Sequence, residues 1–435
     1  MTMVVKNNMP AVRTLNILNQ NSSALQKSLT KVASGMKINS AQDDASGYAI
    51  SERMRVRIRS LDQANQNTQN DSALMKTAEG AVSNTIEILK ALKEKAINAA
   101  NDSNTEEDRQ TIQKEIDQFI DQIDDNALVQ FNGKYLVDGS KNHAVSASAT
   151  VLLNQSLATD TDVTSVLTAL NNRAGDSLEI QSNDKYQVSW VQNGVTSTTS
   201  GIVGDSLDLS GLFTMTSAGT GTAQTTTEPN ALTTDKYLVD VYTPDKAPGV
   251  ALVATTAGVT GQIAGFTISI TDAQGNVKKA ANAALDQFKQ YQRAENQTGD
   301  KSLTFHVGSE ANVAIKVGIG DMRAEALGLK GSTGERISVT TKENANASIN
   351  VIENALTKAL DQQTTIGAIE ARLEYTSANL TTSSENVQAS ESTIRDADMA
   401  KEMTNYTKNN VLLQSAQAML AQANQNSSAV LSLLQ

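Results

Sequence analysis

Few residue types capable of chemistry are present in this 435-residue chain, and they are widely spaced. There are two histidines, His143 and His306, and no cysteine. Neither histidine lies in a His-Glu-x-x-His pattern, so a helix-borne zinc pair is not encoded. The absence of cysteine removes disulfides, thiolate metal sites and thiol nucleophiles. No phosphate-binding glycine loop, dinucleotide fingerprint or nucleophile elbow is present. Two carboxylate pairs could be read as acid and base, Asp43 with Asp44 and Asp396 with Asp398. Both stand where helices are expected to begin, and there a carboxylate caps free N–H groups and complements the helix dipole. The sequence therefore yields no catalytic residue, no metal ligand and no cofactor site.

The formal net charge is −11, with aromatic residues at 3%. Residues 1–42 carry Lys6, Arg13, Lys27, Lys31 and Lys37 and no acid. They lack the dense basic runs and interleaved aromatics of a nucleic-acid surface. No run of about 18 apolar residues exists, so no membrane span is expected. The first twenty residues hold no signal-peptide core, which points to the cytosol or to export without a cleaved signal.

Glycine and proline divide the chain into three zones. Residues 48–79, 81–132 and 368–435 contain neither, and more than half of the glycines fall between 144 and 300. The outer zones read as long helices with seams at alternating spacings of three and four. In the first zone, Met75, Val82, Leu89 and Leu92 form the expected bundle core, and Ile112, Ile116, Phe119 and Ile123 continue it. Ile352 and Leu356 belong to the return stretch, which runs on through Ile366, Leu373 and Leu380. At the extremities, Leu18, Leu25, Leu29, Val32 and Met36 are expected to face Leu412, Ala416, Met419, Ala423, Val430 and Leu433. The chain leaves along one set of helices and returns along another, so the two ends should pair antiparallel. Such a seam is too thin to order both ends alone, because backbone ordering costs roughly 1–2 kcal/mol per residue. The terminal pair is therefore expected to be completed by further copies of itself.

The middle zone alternates apolar and polar residues in "KYQVSWVQNG", "KYLVDVYT" and "GFTISITD", as strands do. "FNGKYLVDGS" reads as a turn and short strand, residues 277–297 as a helix, and "KSLTFHVGSEANVAIKVGI" as a hairpin. The fold class is thus mainly α. A long antiparallel helical coiled coil and bundle comes from the two terminal regions, with a central mixed α/β, strand-rich insert.

Residues 24–61, "ALQKSLTKVASGMKINSAQDDASGYAISERMRVRIRSL", resemble the N-terminal signature of bacterial flagellins. Residues 77–124, "FNGKYLVDG", "VGIGDMRAEALGL" and "ASINVIENALTKALDQQTTIGAIEARLEYTSANL" extend the resemblance. The tail "ESTIRDADMAKEMTNYTKNNVLLQSAQAMLAQANQNSSAVLSLLQ" is similar to the family's C-terminal signature. The resemblance covers roughly 1–142 and 301–435 and leaves the middle unmatched.

The resemblance implies a structural, non-enzymatic subunit of the flagellar filament that self-assembles for swimming motility. Residues 1–44 and 394–435 would form the inner core, 45–142 and 301–393 the outer tube, and 143–300 a surface-exposed insert. The implied partners are other copies of the subunit, a flagellar export chaperone at about Asn405–Gln435, and cap and hook-associated proteins. Export would be unfolded, through the flagellar type III apparatus, giving an extracellular location. Members that stimulate the animal innate flagellin receptor share an Arg, a Leu and a later Glu. Alignment puts Ala91, Lys95 and Glu115 there, which implies weakened recognition. A hook–filament junction protein is the alternative.

Overall fold

The computed structural model describes residues 8–161, 164–214, 230–233, 249–254 and 256–433. Three helices lead the chain, α1 (Met9–Ser34), α2 (Ala45–Ala99) and α3 (Glu106–Ala127), and two close it, α6 (Lys342–Arg395) and α7 (Met399–Leu433). Their ends are capped by the residues that the sequence offers. The Asn8 side chain accepts from the Ala11 N–H and Pro10 lies in the first turn of α1. Gly35 closes α1 in the left-handed conformation, φ 72°. Thr105 and Asp108 form a reciprocal capping box at α3. Gly80 and Gly367 lie inside α2 and α6 without breaking them, because packing outweighs a propensity penalty of about 1 kcal/mol.

Two compact units divide the chain. The terminal unit holds residues 1–68, 306–313 and 375–435, and the second holds 69–305 and 314–374. The division thus falls inside α2 and α6 rather than at their ends.

Within the second unit, Met75, Val82, Leu89, Leu92, Ile116, Ile123 and Ile352 are fully enclosed. Three expected core positions are corrected. Phe119 and Ile112 are only half-buried, and Ile120 takes the inner position with Ile116 and Ile123. Leu356 is likewise half-buried, with Val351, Ile352, Ala355 and Ala359 inside. In α3 the buried set Ile116, Ile120, Ile123 and Ala127 keeps the four-three-four spacing in another phase, and in α6 Ile352, Ala359, Ile366, Leu373 and Leu380 keep a seven-residue spacing that leaves Leu356 at its edge.

The insert holds two antiparallel sheets. One has the order β6 (Asn230–Thr233), β7 (Val250–Ala254), β3 (Val151–Asn154), β9 (Lys289–Gln292). The other has the order β5 (Val195–Ile202), β4 (Lys185–Gln192), β8 (Ile263–Thr271). A two-residue turn at Asn193 (φ 49°) and Gly194 (φ 76°) joins β4 to β5, as the Asn-Gly pair dictates. Asn132-Gly133 does the same between β1 (Gln130–Phe131) and β2 (Lys134–Tyr135). Trp190, Tyr186, Val188, Phe266, Ile268 and Ile270 form much of one buried cluster, with the short helices α4 (Leu209–Thr214) and α5 (Lys279–Leu285) contributing Leu212 and Leu285. The expected 277–297 helix is corrected to α5 followed by strand β9. Phe288 turns its ring edge-on to Phe266 with centroids 4.9 Å apart, which ends the helix, and the alternating Lys289–Gln292 pairs with β3. The "KYLVDVYT" strand, residues 236–243, lies outside the described residues. The expected hairpin is present as β10 (Leu303–His306) and β11 (Ala314–Val317).

Strand β8 approaches α6 at Gly265, where a Cβ would stand 2.9 Å from the Ala347 carbonyl oxygen and 3.0 Å from the Val351 nitrogen. That contact admits no side chain. It lets the Asn350 amide reach the Phe266 carbonyl at 3.0 Å and the Asn354 amide the Ala264 carbonyl at 2.9 Å.

Candidate assembly surfaces

Of the four carboxylates that could be read as acid and base, Asp43, Asp44 and Asp398 accept from backbone N–H groups, and Asp396 accepts from the Ser392 hydroxyl at 2.6 Å. Asp44 Oδ1 accepts from the Ser46 and Gly47 N–H groups at 3.0 Å and starts α2. Asp398 Oδ1 accepts from Ala400 and Lys401 and starts α7. Asp43 accepts from the Asn39 N–H at 3.1 Å and from Ser40, and the Asn39 bond leads in holding its carboxyl below the ordinary range. No group of three or more His, Asp or Glu residues fit to hold a metal occurs among the described residues. No described helix is long and apolar enough to cross a membrane. His143 lies in an open polar cleft of about 480 Å³ with Lys358 and the Arg293–Asp361 and Arg323–Asp321 ion pairs. Burial lowers the pKa of Lys358, whose ammonium donates to the Ala326 carbonyl at 2.8 Å.

The terminal unit is built differently. α1 and α7 run antiparallel, stitched by amides rather than by a dense apolar core. Asn21 Nδ2 donates to the Leu412 carbonyl at 3.2 Å, and Asn409 Nδ2 to Ser28 Oγ at 3.1 Å. Such polar contacts along a helical seam fix register at some cost in stability. A clasp closes the pair: Lys37 N–H donates to the Arg395 carbonyl at 2.8 Å, and Ala397 N–H to the Gly35 carbonyl at 2.9 Å.

On the expected seam, Leu18, Leu25, Val32 and Met36 are half-buried, Ala416 is buried and Ala423 half-buried. Three positions are corrected as facing the partner helix of the same chain. Leu29, Leu412 and Met419 are exposed, at 50%, 40% and 62%. Leu413 and Leu420, one residue along, take the inner places on α7. The side chains of Val430 and Leu433 lie outside the described residues. The outward set is long: Met9, Val12, Leu15, Ile17 and Leu29 on α1, and Met399, Met403, Val411, Leu412 and Met419 on α7. A monomer seldom leaves so many large apolar side chains in water along one helical pair, and such surfaces mark interaction sites. The single-chain helices are amphipathic on the inside and apolar again on the outside.

Beside the bundle core, Lys95 Nζ meets Glu115 Oε2 at 2.5 Å, and Ala91 lies one turn before Lys95. The structure thus joins two of the three residues aligned with the receptor motif and engages the carboxylate within the chain. At the base of the β10–β11 hairpin, Asp300 accepts from the Ser302 hydroxyl at 2.5 Å, from its N–H at 3.1 Å, and from Lys316 at 3.2 Å. These bonds, Ser302's first, pull its carboxyl down to about 2. A group depressed in the folded state stabilises above its unfolded value and loses that contribution as pH falls through the folded one. Carbon-detected NMR should place the Asp300 midpoint near 2. Asp300→Asn should make the hairpin's local stability flat between pH 4 and pH 2, where the parent chain loses it. A midpoint at the ordinary value of 3.8 would contradict the hydrogen-bond assignment.

Comparison with known proteins decides the family. Residues 5–142 match the bacterial flagellin N-terminal helical region, and residues 349–434 match the bacterial flagellin C-terminal helical region. The chain is 34% identical to a flagellin of Clostridium tyrobutyricum, across 97% of this chain and 99% of that one. The chain belongs to the bacterial flagellin family. Identity to a flagellin of Bacillus subtilis (strain 168) is 29%, across 99% of this chain and all of the relative. A flagellar filament 30.7 kDa core protein of Treponema maltophilum matches at 27% identity over 99% of this chain. Among solved structures, the flagellar hook associated protein-3 of Legionella pneumophila superposes with a TM-score of 0.33 at 16% identity, covering 78% of this chain and 97% of that one. A structural likeness at that level carries no argument. As a flagellin, the chain is a structural subunit of the extracellular flagellar filament.

The sequence reading missed the Arg395 clasp and the asparagine stitching. An asparagine at a seam position on each helix, Asn21 on α1 and Asn409 on α7, was the available signal. Arg395 gave none, since a cation at a helix end is an ordinary dipole complement.

Proposed function

We propose that this flagellin polymerises through the outward apolar stripes of α1 and α7, into a filament that drives swimming. The observation that carries the proposal is the exposed set from Met9 to Met419, on a helical pair that already uses its inner face. Subunit packing then draws on Leu29, Leu412 and Met419 directly, and Leu18, Leu25, Val32, Met36, Ala416 and Ala423 hold the pair together. Val430 and Leu433 extend the stripe. The contacts are heterologous, one face meeting a different face on the next copy, so the array stays open and grows. In this arrangement residues 1–44 and 394–435 form the inner core, 45–142 and 301–393 the surrounding tube, and 143–300 the exposed insert.

The same stripes would be sticky inside the cell. They support export in an unfolded state through the flagellar type III apparatus. A chaperone would cover about Asn405–Gln435 until then, with cap and hook-associated proteins meeting the subunit at its destination. The subunit performs no catalysis, its polar clefts being structural. The animal innate flagellin receptor should bind poorly. Ala91 offers no guanidinium, Lys95 replaces an apolar contact, and Glu115 is already paired. A reporter-cell assay of the monomer should read a strong loss of potency against a receptor-stimulating flagellin. Full potency at nanomolar subunit would contradict this.

Electron microscopy of purified subunits after salt-induced assembly tests the main proposal. The full chain should give filaments, and a chain lacking its last thirty or so residues, which removes most of α7, should give none. Filaments from the truncated chain would overturn the role of α7. Incorporation into the hook–filament junction instead of the filament would mark the alternative.

A further inference from the structure

The three-stranded sheet has two edges, and they are treated in opposite ways. The β8 edge is sealed. Ile268 N–H donates to Asp286 Oδ1, and Ile270 N–H to Asn282 Oδ1 at 2.6 Å. The Lys278 N–H caps the Ile270 carbonyl, and Asn350 and Asn354 cap those of Phe266 and Ala264. The outward groups along β8 thus have partners from α5, the turn before it and α6. Among the described residues β5 has no such caps on its backbone, and α6 reaches it only through Asn344, whose Oδ1 accepts from the Thr198 hydroxyl at 3.4 Å. The Gln192–Val195 pair flanks a two-residue turn, so it is hydrogen-bonded, and alternation then turns the N–H and C=O groups of Thr196, Thr198, Ser200 and Ile202 away from β4. Among the described residues no backbone or side-chain group bonds to them.

An edge of eight residues, open among the described residues, is a template for another strand, and natural sheets blunt such edges with lysine, proline, bulges or covers. Residues 195–202, "VTSTTSGI", contain no charge and no proline, and their pairing with β4 is regular over all eight residues. Thr198, Ser200 and Ile202 are exposed, Ile202 at 63%.

We infer that β5 is an interaction edge and that its occupant is β5 of a second copy of this chain, added antiparallel. Three observations select that occupant. The edge is neutral, so it repels no copy of itself. The edge strands of the four-stranded sheet, β6 and β9, have four residues each against the eight of β5. The chain is a filament subunit, so copies are held at high local concentration, where a weak strand pairing becomes effectively intramolecular. A β5–β5 contact is isologous, unlike the heterologous contacts that extend a polymer. It therefore joins inserts two by two, adding a paired contact between copies to the polymer built by the terminal helices.

The absence of cysteine makes the test direct. Thr198→Cys places a single thiol on the edge, and Gln274→Cys places one on the exposed turn after β8 as a control. Full-length filaments are treated with a short flexible bis-maleimide and run on denaturing gels. The Thr198→Cys filaments should give dimers from most subunits and the Gln274→Cys filaments few, because paired strands hold opposing Cα atoms about 4.5–5.5 Å apart. Adding Ser200→Pro to the edge-thiol chain removes an outward N–H and spares the ladder to β4, so dimer yield should fall about tenfold or more. Should that chain fail to polymerise, Ser200→Lys on the same edge gives the same readout by charge repulsion. Hydrogen exchange over 195–202 should be fast in the dilute monomer and at least ~10-fold slower in filaments. The inference is overturned if the edge thiol links no better than the control thiol, or if neither edge variant lowers the yield. Slow exchange already present in the monomer also overturns it, since the chain's own residues would then cover the edge.

Discussion

Leu15→Asp and Met419→Asp, made separately, are each expected to abolish filament assembly at subunit concentrations where the parent chain polymerises fully. Leu15 is 45% exposed and Met419 62%, so in the free subunit each carboxylate stays in water and the fold is spared. In the proposed polymer the same position is enclosed. There the variant loses the burial of a Leu or Met side chain, worth about 1.5–3 kcal/mol, and gains the desolvation of a charge. A combined loss of ~3 kcal/mol or more per contact raises the critical concentration roughly a hundredfold or beyond. Sedimentation of assembled from free subunit measures it, and circular dichroism of the supernatant confirms that helical content is kept. Gln422→Asp offers a comparison on α7 at an exposed polar position. It should change the critical concentration far less. An unchanged value for both apolar replacements would remove the outward stripes from the account of assembly.

The same stripes explain where the sequence was readable and where it was not. Helix existence along α2, α6 and α7 followed from the lack of proline and the near-lack of glycine, and the Asn-Gly turns fixed two hairpins. The phase of α7 did not follow. Leu412 and Leu413, and Met419 and Leu420, are adjacent apolar pairs, and each pair offers one residue to either side of the helix. A helix enclosed on two sides writes two stripes into one sequence, and periodicity alone cannot say which belongs to its own chain. The β8 edge was hidden for a different reason. Asn350 and Asn354 are spaced one turn apart in "ASINVIENAL" and read as surface polar residues, yet they cap carbonyls of a strand some ninety residues away. Phe288 shows the same limit. Residues 277–297 have good helix propensity, and a long-range ring contact with Phe266 ends the helix at Leu285. Glu370 broke the α6 seam visibly. It is half-buried, and burial together with Glu79 across the bundle raises its carboxyl.

Arg395→Ala should loosen the terminal unit more than any exposed-site change, because its guanidinium does several things at once. The side chain is 7% exposed, donates to Glu52 Oε1 at 2.7 Å and to Ser51 Oγ at 3.5 Å, and stands 5.4 Å from the Tyr48 ring centroid. Its own backbone carbonyl holds Lys37, and the next bond along joins Ala397 to Gly35. The clasp therefore links the turn after α1 to the turn before α7 and sets the register in which Asn21 and Asn409 find their acceptors. Loss of the cation–π contact, the hydrogen bonds and the packed side-chain stem should cost about 2–3 kcal/mol. Arg395→Lys keeps the charge but not the planar fork, so it should recover only part of this. Glu52→Gln keeps an acceptor for the guanidinium and should be milder than Arg395→Ala. Urea unfolding of the monomer, followed by far-ultraviolet circular dichroism, should show the first transition moving to lower denaturant for Arg395→Ala. The Trp190 signal, which lies in the insert, should unfold at its usual midpoint. If both transitions moved together, the clasp would be acting on the whole chain rather than on its terminal unit.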